Sequence, residues 1–270
     1  GGFFTDHLSW RWVFYVNLPL GALALVVTAF VLPTGLKRTG VKIDYLGAVL
    51  VSAGITCLVL MTTWAGTEYA WGSPTIVGLG IGAAVLLSAF VVAEARAEEP
   101  ILPLRLFRTS VFSVSSGVSF VVGLALFGSV SFLPLFLQIV SGASATGSGL
   151  LMAPLMGGML TSSIICGRAV SRTGRYRAFP IIGTLVATAG LGLLSTMDAG
   201  TSYATSSAYM VLLGVGLGMT MQILVIAVQN AAPFRDLGVA TSAVNFFRSV
   251  GGSVGVAVFG AILAARLSST

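Results

Sequence analysis

The 270-residue chain holds 56% hydrophobic and only 8% charged residues, with a net charge of +6. A soluble domain carries about 25% charged residues, so a water-soluble globule is excluded. The cations are spread over short connectors instead of forming one basic patch, which points to anionic lipid and away from nucleic acid as the neighbour.

A membrane-crossing helix needs about 20 apolar residues. Runs of this kind fall at 12–32, 45–65, 75–94, 111–140, 149–170, 178–197, 207–231 and 237–265. The connectors between them alternate in charge. The first holds Lys37, Arg38 and Lys42, and the turn from Gly66 to Ser73 holds no cation. Arg96, Arg105 and Arg108 follow, then an uncharged stretch from Gly142 to Ser148. Arg168, Arg172, Arg175 and Arg177 are followed by Asp198 to Thr205, again without a cation, and Arg235 stands in the last connector. Cytoplasmic loops retain Lys and Arg, so the alternation marks successive crossings, the first running from outside to inside. Backbone amides in lipid must bond internally, which makes these runs helices. The fold class is all-α, a polytopic transmembrane bundle of about eight spans.

Smaller signals fit this map. Trp10, Trp12, Trp64, Tyr69 and Trp71 lie where aromatic anchors meet the interface. Glycines four apart, Gly78 and Gly82, Gly214 and Gly218, Gly251 and Gly255, predict close helix approach. Pro134, Pro154 and Pro180 predict kinks. Residues 95–108, with two prolines and mixed charge, form the longest polar interruption and read as a boundary between blocks.

Few residues offer chemistry. His7 is the only histidine, and Cys57 and Cys166 lie in apolar runs, so neither a metal nor a catalytic triad is expected. No phosphate-binding loop of the Gly-x-x-x-x-Gly-Lys type occurs, which excludes an ATP-driven pump. All eight acids fall in connectors or at span ends. Arg248 is the one cation well inside a span, Arg168 standing at the end of its own; it either gates the cytoplasmic end or snorkels to inner-leaflet phosphates. Gln138, Gln222, Gln229, Asn230 and Asn245 are amides in or near spans, expected to face the bundle interior as interhelical glue or as ligand contacts. By depth, Gln222 is the best placed for a ligand. Phe127 and Phe132 present flat apolar surfaces suited to amphipathic cations.

Several stretches together resemble the major facilitator superfamily, in particular the fourteen-helix drug:proton antiporter-2 group of the EmrB/QacA type. Gly1-Gly2 and the run Asp6-His7-Leu8-Ser9-Trp10-Arg11-Trp12-Val13-Phe14-Tyr15-Val16-Asn17-Leu18-Pro19-Leu20-Gly21 look like that group's junction of helices 5 and 6. Pro100 to Arg108 is similar to the linker into the second lobe. The loop Gly167, Arg168, Arg172, Gly174, Arg175 looks like the second-lobe copy of the signature cytoplasmic loop. Asn245 to Arg248 with Gly251, Gly252 and Gly255 is similar to helix 13. One departure stands out: Ser171 occupies a position that is usually acidic in the family loop.

The resemblance implies a partial major facilitator fold corresponding to helices 6 to 13, in a chain that reads as a piece of a longer protein. Residues 1–32 would hold the last helix of the N-terminal lobe and 33–94 an inserted two-helix hairpin. Residues 95–110 would form a cytoplasmic linker and 111–270 a C-terminal lobe lacking its final helix. It further implies a multi-pass protein of the inner (plasma) membrane of a bacterium, exporting small amphipathic or cationic molecules in exchange for protons. No cofactor is expected, the energy source being the proton gradient, and the coupling acid would belong to helix 1. The expected substrate contacts are Gln222, Phe127, Phe132, Gln138 and Asn245. The expected gating elements are Gly167, Arg168, Arg172, Gly174, Arg175 and Arg248. The alternatives are a narrow-specificity metabolite exporter of the same fold and, from another class, a non-transport membrane assembly subunit.

Overall fold

Apolar runs become helices wherever lipid leaves the backbone no other partner, and local chemistry decides where each one starts and stops. The computed structural model describes residues 2–31, 44–66, 68–97, 100–140, 142–198 and 200–268. Among these, the helices in chain order are α1 (Gly2–His7), α2 (Trp12–Tyr15), α3 (Asn17–Val31), α4 (Tyr45–Trp64) and α5 (Pro74–Arg96). Then come α6 (Ser110–Ile139), α7 (Ala145–Leu151), α8 (Ala153–Thr173), α9 (Ala178–Leu194), α10 (Tyr203–Ala231) and α11 (Leu237–Ser268). Short 3-10 turns occupy Leu104–Arg108 and Phe234–Asp236. The cations Lys37, Arg38 and Lys42 fall outside the described residues.

Side-chain caps set several helix starts. Asp44 accepts from the Gly47 amide at 2.8 Å, Ser73 from Ile76 at 3.3 Å, Ser144 from Gly147 at 3.0 Å and Ser202 from Thr205 at 3.2 Å. Each satisfies an orphan donor of the first turn. The Ser202 cap starts α10 at Tyr203, earlier than the apolar run alone indicates. The fifth crossing likewise begins at Ala145 and breaks at Met152, because Pro154 opens a new helix at its first turn. Of the three prolines expected to kink spans, only Pro134 lies inside a helix; Pro180 falls in the first turn of α9, where a missing amide costs little.

Among the described residues, seven stretches are long and apolar enough to cross a membrane, counting α2 with α3 and α7 with α8 as single crossings. The expected crossing at 178–197 is α9, a shorter helix of 17 residues. At about 1.5 Å per residue it reaches roughly 26 Å, just under the about 30 Å hydrocarbon core.

Helix α10 is the centre of the bundle, packed by α8, α9 and α6, while α6 and α11 form a second close pair. Glycine creates these approaches. A methyl at Gly214 would strike the Leu155 carbonyl of α8, one at Gly216 the Ala187 amide of α9, and one at Gly251 the Phe120 carbonyl of α6. The expected Gly78–Gly82 contact forms only in part: Gly78 meets nothing within 4 Å, Gly82 faces Cys57 of α4 at ordinary contact distance, and the tightest approach of the α4–α5 hairpin along its length is Gly54 against Leu87.

The hairpin packs on α11 through α4. Residues 100–109 are more than a polar spacer, since Leu102 and Leu106 are buried with Val51, Phe90, Leu224 and Val244 in one apolar cluster. Arg105 donates to Asp236 at 2.8 Å, fixing this linker to the turn between α10 and α11. At the opposite end, α1 lies on α7, and every residue of α3 is exposed.

Candidate functional site

The close pairing of α6 with α11 leaves space on the side facing α4. A cavity of about 820 Å³ lies among these three helices, lined by Val59, Thr63, Phe127, Phe132, Ser249 and Ser253 together with small residues of α11. Pockets for small organic molecules measure about 300–1,000 Å³. The Phe127 ring lies over Gly252, where a methyl group would collide with it, and Phe132 meets Phe259 edge-to-face at 6.4 Å. The Ser253 hydroxyl donates to the Ser249 carbonyl at 3.2 Å, so its polarity is spent on its own helix. The resulting wall is apolar and aromatic with sparse hydroxyls, suited to an amphiphile and poor for a sugar.

Phe127 and Phe132 are therefore brought to one site. Asn245 and Arg248 lie on α11 just below it, half-buried, and the Arg248 Nη2 donates to Asn245 Oδ1 at 2.6 Å. The guanidinium thus takes an amide of its own helix as partner.

Gln222 and Gln138 belong elsewhere. Gln222 is exposed on α10, in line with Ala208, Val215 and Gln229 at seven-residue spacing, and does not line the cavity. This corrects, for Gln222, the expectation that the amides face the bundle interior, which α10 fills instead with Leu213, Leu217, Ile223 and Leu224. Gln229 donates to Thr241 at 3.1 Å, joining α10 to α11. Gln138 donates to the Ser148 hydroxyl at 2.9 Å, joining the C-terminal end of α6 to α7.

The basic loop has a simple geometry. Gly174 closes α8 in the left-handed region (φ +67°), with its amide donating to the Val170 carbonyl at 2.8 Å. Ser171, at the usually acidic position, donates its hydroxyl to the Gly167 carbonyl at 2.9 Å. Arg168, Arg172, Arg175 and Arg177 are exposed and form no ion pair among the described residues.

Three acidic features escape a reading by position alone. Asp6 accepts from the Thr146 amide at 2.7 Å, clamping α1 to α7, and hydrogen bonding from Thr146 holds its carboxyl below the ordinary carboxylate range. Asp236 is buried against Arg105. Glu94 is only 3% exposed and accepts from the Leu102 amide at 3.1 Å. In sequence, Glu94 looks like an ordinary interfacial acid; the only hint is the linker returning with Leu102 and Leu106 a few residues later.

The Major Facilitator Superfamily profile matches residues 1–256. An uncharacterized MFS-type transporter of Mycobacterium tuberculosis is 49% identical over 262 residues, which cover 97% of this chain and 38% of that protein. Multidrug transporter protein MdtP of Bacillus subtilis is 38% identical over 267 residues, 98% of this chain and 49% of MdtP. The Aspyridones efflux protein of Neocamarosporium betae is 33% identical over 270 residues, 96% of this chain and 48% of its own. The chain spans about half or less of the length of these relatives. With an all-helical fold of membrane-spanning length and a family match over nearly its whole extent, the chain belongs to the Major Facilitator Superfamily.

Proposed function

We propose that this chain forms the central part of a proton-coupled exporter of amphipathic or cationic small molecules in a bacterial plasma membrane. The observation that carries the reading is the cavity among α4, α6 and α11, with Phe127 and Phe132 on an otherwise apolar wall. Aromatic faces attract delocalised cations and tolerate varied shapes, as broad specificity requires. The names of relatives such as MdtP support the same substrate class.

In this reading the protein is of the fourteen-helix drug:proton antiporter-2 type and the chain corresponds to helices 6 to 13. Residues 1–32 end the N-terminal lobe, 33–94 form the inserted hairpin, 95–110 the linker and 111–270 the C-terminal lobe. The two lobes rock about a midplane site, exposing it to each side in turn. Gln222 lies outside the Phe127–Phe132 cavity and has no part in this reading, while Arg248 with the Gly167–Arg175 loop governs closure on the cytoplasmic side.

The test follows ethidium efflux by the full-length protein in an efflux-deficient bacterium, with and without a protonophore. Efflux that collapses with the proton gradient is the expected result. Absence of efflux of ethidium and other cationic dyes, despite membrane expression, would favour export of one metabolite. That second reading draws support from the name of the Aspyridones efflux protein.

A further inference from the structure

We propose that Asp44 and Glu94 form a proton-binding pair, holding a single proton between Asp44 Oδ2 and Glu94 Oε1 at the inner end of the α4–α5 hairpin. Each carboxyl already spends one oxygen. Asp44 Oδ1 accepts from the Gly47 amide at 2.8 Å, and Glu94 Oε2 accepts from the Leu102 amide at 3.1 Å. The other oxygen of each, Asp44 Oδ2 and Glu94 Oε1, is buried without a hydrogen-bond partner. Both free oxygens face the same methyl-sized space, which exists because residue 47 is glycine. A methyl there would touch Asp44 Oδ2 and stand 3.0 Å from Glu94 Oε1.

Two facing acceptors in a space closed to water repel each other, and neither can satisfy the other. One proton resolves both faults. Bound to either oxygen, it turns that group into a donor and leaves its neighbour the acceptor. No cation takes the proton's place among the described residues: Arg96 lines the groove beside Asp44 but forms no ion pair with either carboxylate, and Arg105 is engaged by Asp236. Lys37, Arg38, Lys42, Glu98 and Glu99 lie outside the described residues. The pair sits where the hairpin meets the linker, so the bound proton joins α4, α5 and residue 102 in one hydrogen-bonded unit. The site is separate from the Phe127–Phe132 cavity and does not depend on the export reading.

Infrared difference spectroscopy on the full-length protein in liposomes at neutral pH reads this directly. The expected result is a deuterium-sensitive carboxylic acid carbonyl band in the wild type that is lost in both Glu94→Gln and Asp44→Asn. A band that survives in Asp44→Asn would mean that Glu94 carries its proton alone, and would overturn the pair. Wild-type and variant spectra that coincide in this region would overturn proton binding altogether. If Asp44→Asn does not elute as folded protein, Asp44→Ser, which keeps an acceptor for the Gly47 amide, takes its place: loss of the band supports the pair and its survival overturns it.

Discussion

At the level of single residues, Arg248 is held by a short bond to Asn245, and removing a charge-assisted hydrogen bond costs about 1.5–3 kcal/mol. Arg248→Ala is therefore expected to lower dye efflux about tenfold or more, with membrane insertion intact; efflux at the wild-type rate would remove Arg248 from the site. Phe127→Ala and Phe132→Ala each delete an aromatic wall of the cavity, and a lost aromatic contact is worth about 0.5–1.5 kcal/mol beyond area. Half-saturating dye concentration should rise about two- to tenfold in either variant, with little change for a small polar substrate. Asp6 allows a pH prediction with a definite sign. Its carboxyl lies below the ordinary range because it accepts from Thr146, so the α1–α7 clamp is complete above the ordinary carboxylate value and is lost as pH falls through the lowered one. Spin labels on α1 and α7 should separate on acidification in the wild type and show no pH response in Asp6→Asn. The candidate residue types were legible in the sequence, but most of their partners were not. The three-residue spacing on one helix puts Asn245 within reach of Arg248, but nothing in the order of residues tells that Gln222 lies outside the cavity.

Among the helices, association depends on glycine where backbones nearly touch. A methyl at Gly214 or Gly251 meets a carbonyl of the neighbouring helix, which cannot rotate away, whereas one at Gly78 meets open space. Gly214→Ala and Gly251→Ala should each destabilise the bundle by about 1–3 kcal/mol, the usual cost of overpacking. Gly78→Ala should be neutral or slightly stabilising. Thermal unfolding in detergent checks this, and equal melting of all three variants would refute the contact assignment. The four-residue glycine spacing was thus a sound guide at 214–218 and 251–255, and at 78–82 it held for Gly82, which meets Cys57, but not for Gly78. Spacing specifies a face, but a face becomes an interface only if a partner helix lies against it. Helix extents were read to within a few residues from the apolar runs. The errors came from capping: Ser202 and Ser144 extended helices into polar sequence, and Pro154 split one crossing in two.

In the whole molecule, the linker is an organised joint. Its Arg105 ties it to Asp236, its Leu102 amide to Glu94, and its leucines enter the core shared with α4, α5, α6, α10 and α11. Arg105→Asp should lower the melting temperature, and the exchange Arg105→Asp with Asp236→Arg should restore part of the loss. Because the Arg105 side chain is 52% exposed, the coupling should be modest, about 1 kcal/mol. The sequence by itself determined the membrane class and the apolar stretches, and it set the sidedness expected of the connectors. Those follow from hydrocarbon thickness and from the cost of moving cations across it, which act on each segment locally. The tertiary structure alone decided which residues meet. It put Phe127 and Phe132 into one cavity, left Gln222 outside it, and turned Asp44 and Glu94, fifty residues apart in the chain, toward a common space at Gly47. Lipid accepts any apolar face equally well, so helix pairing rests on packing and hydrogen bonding, which no single segment contains.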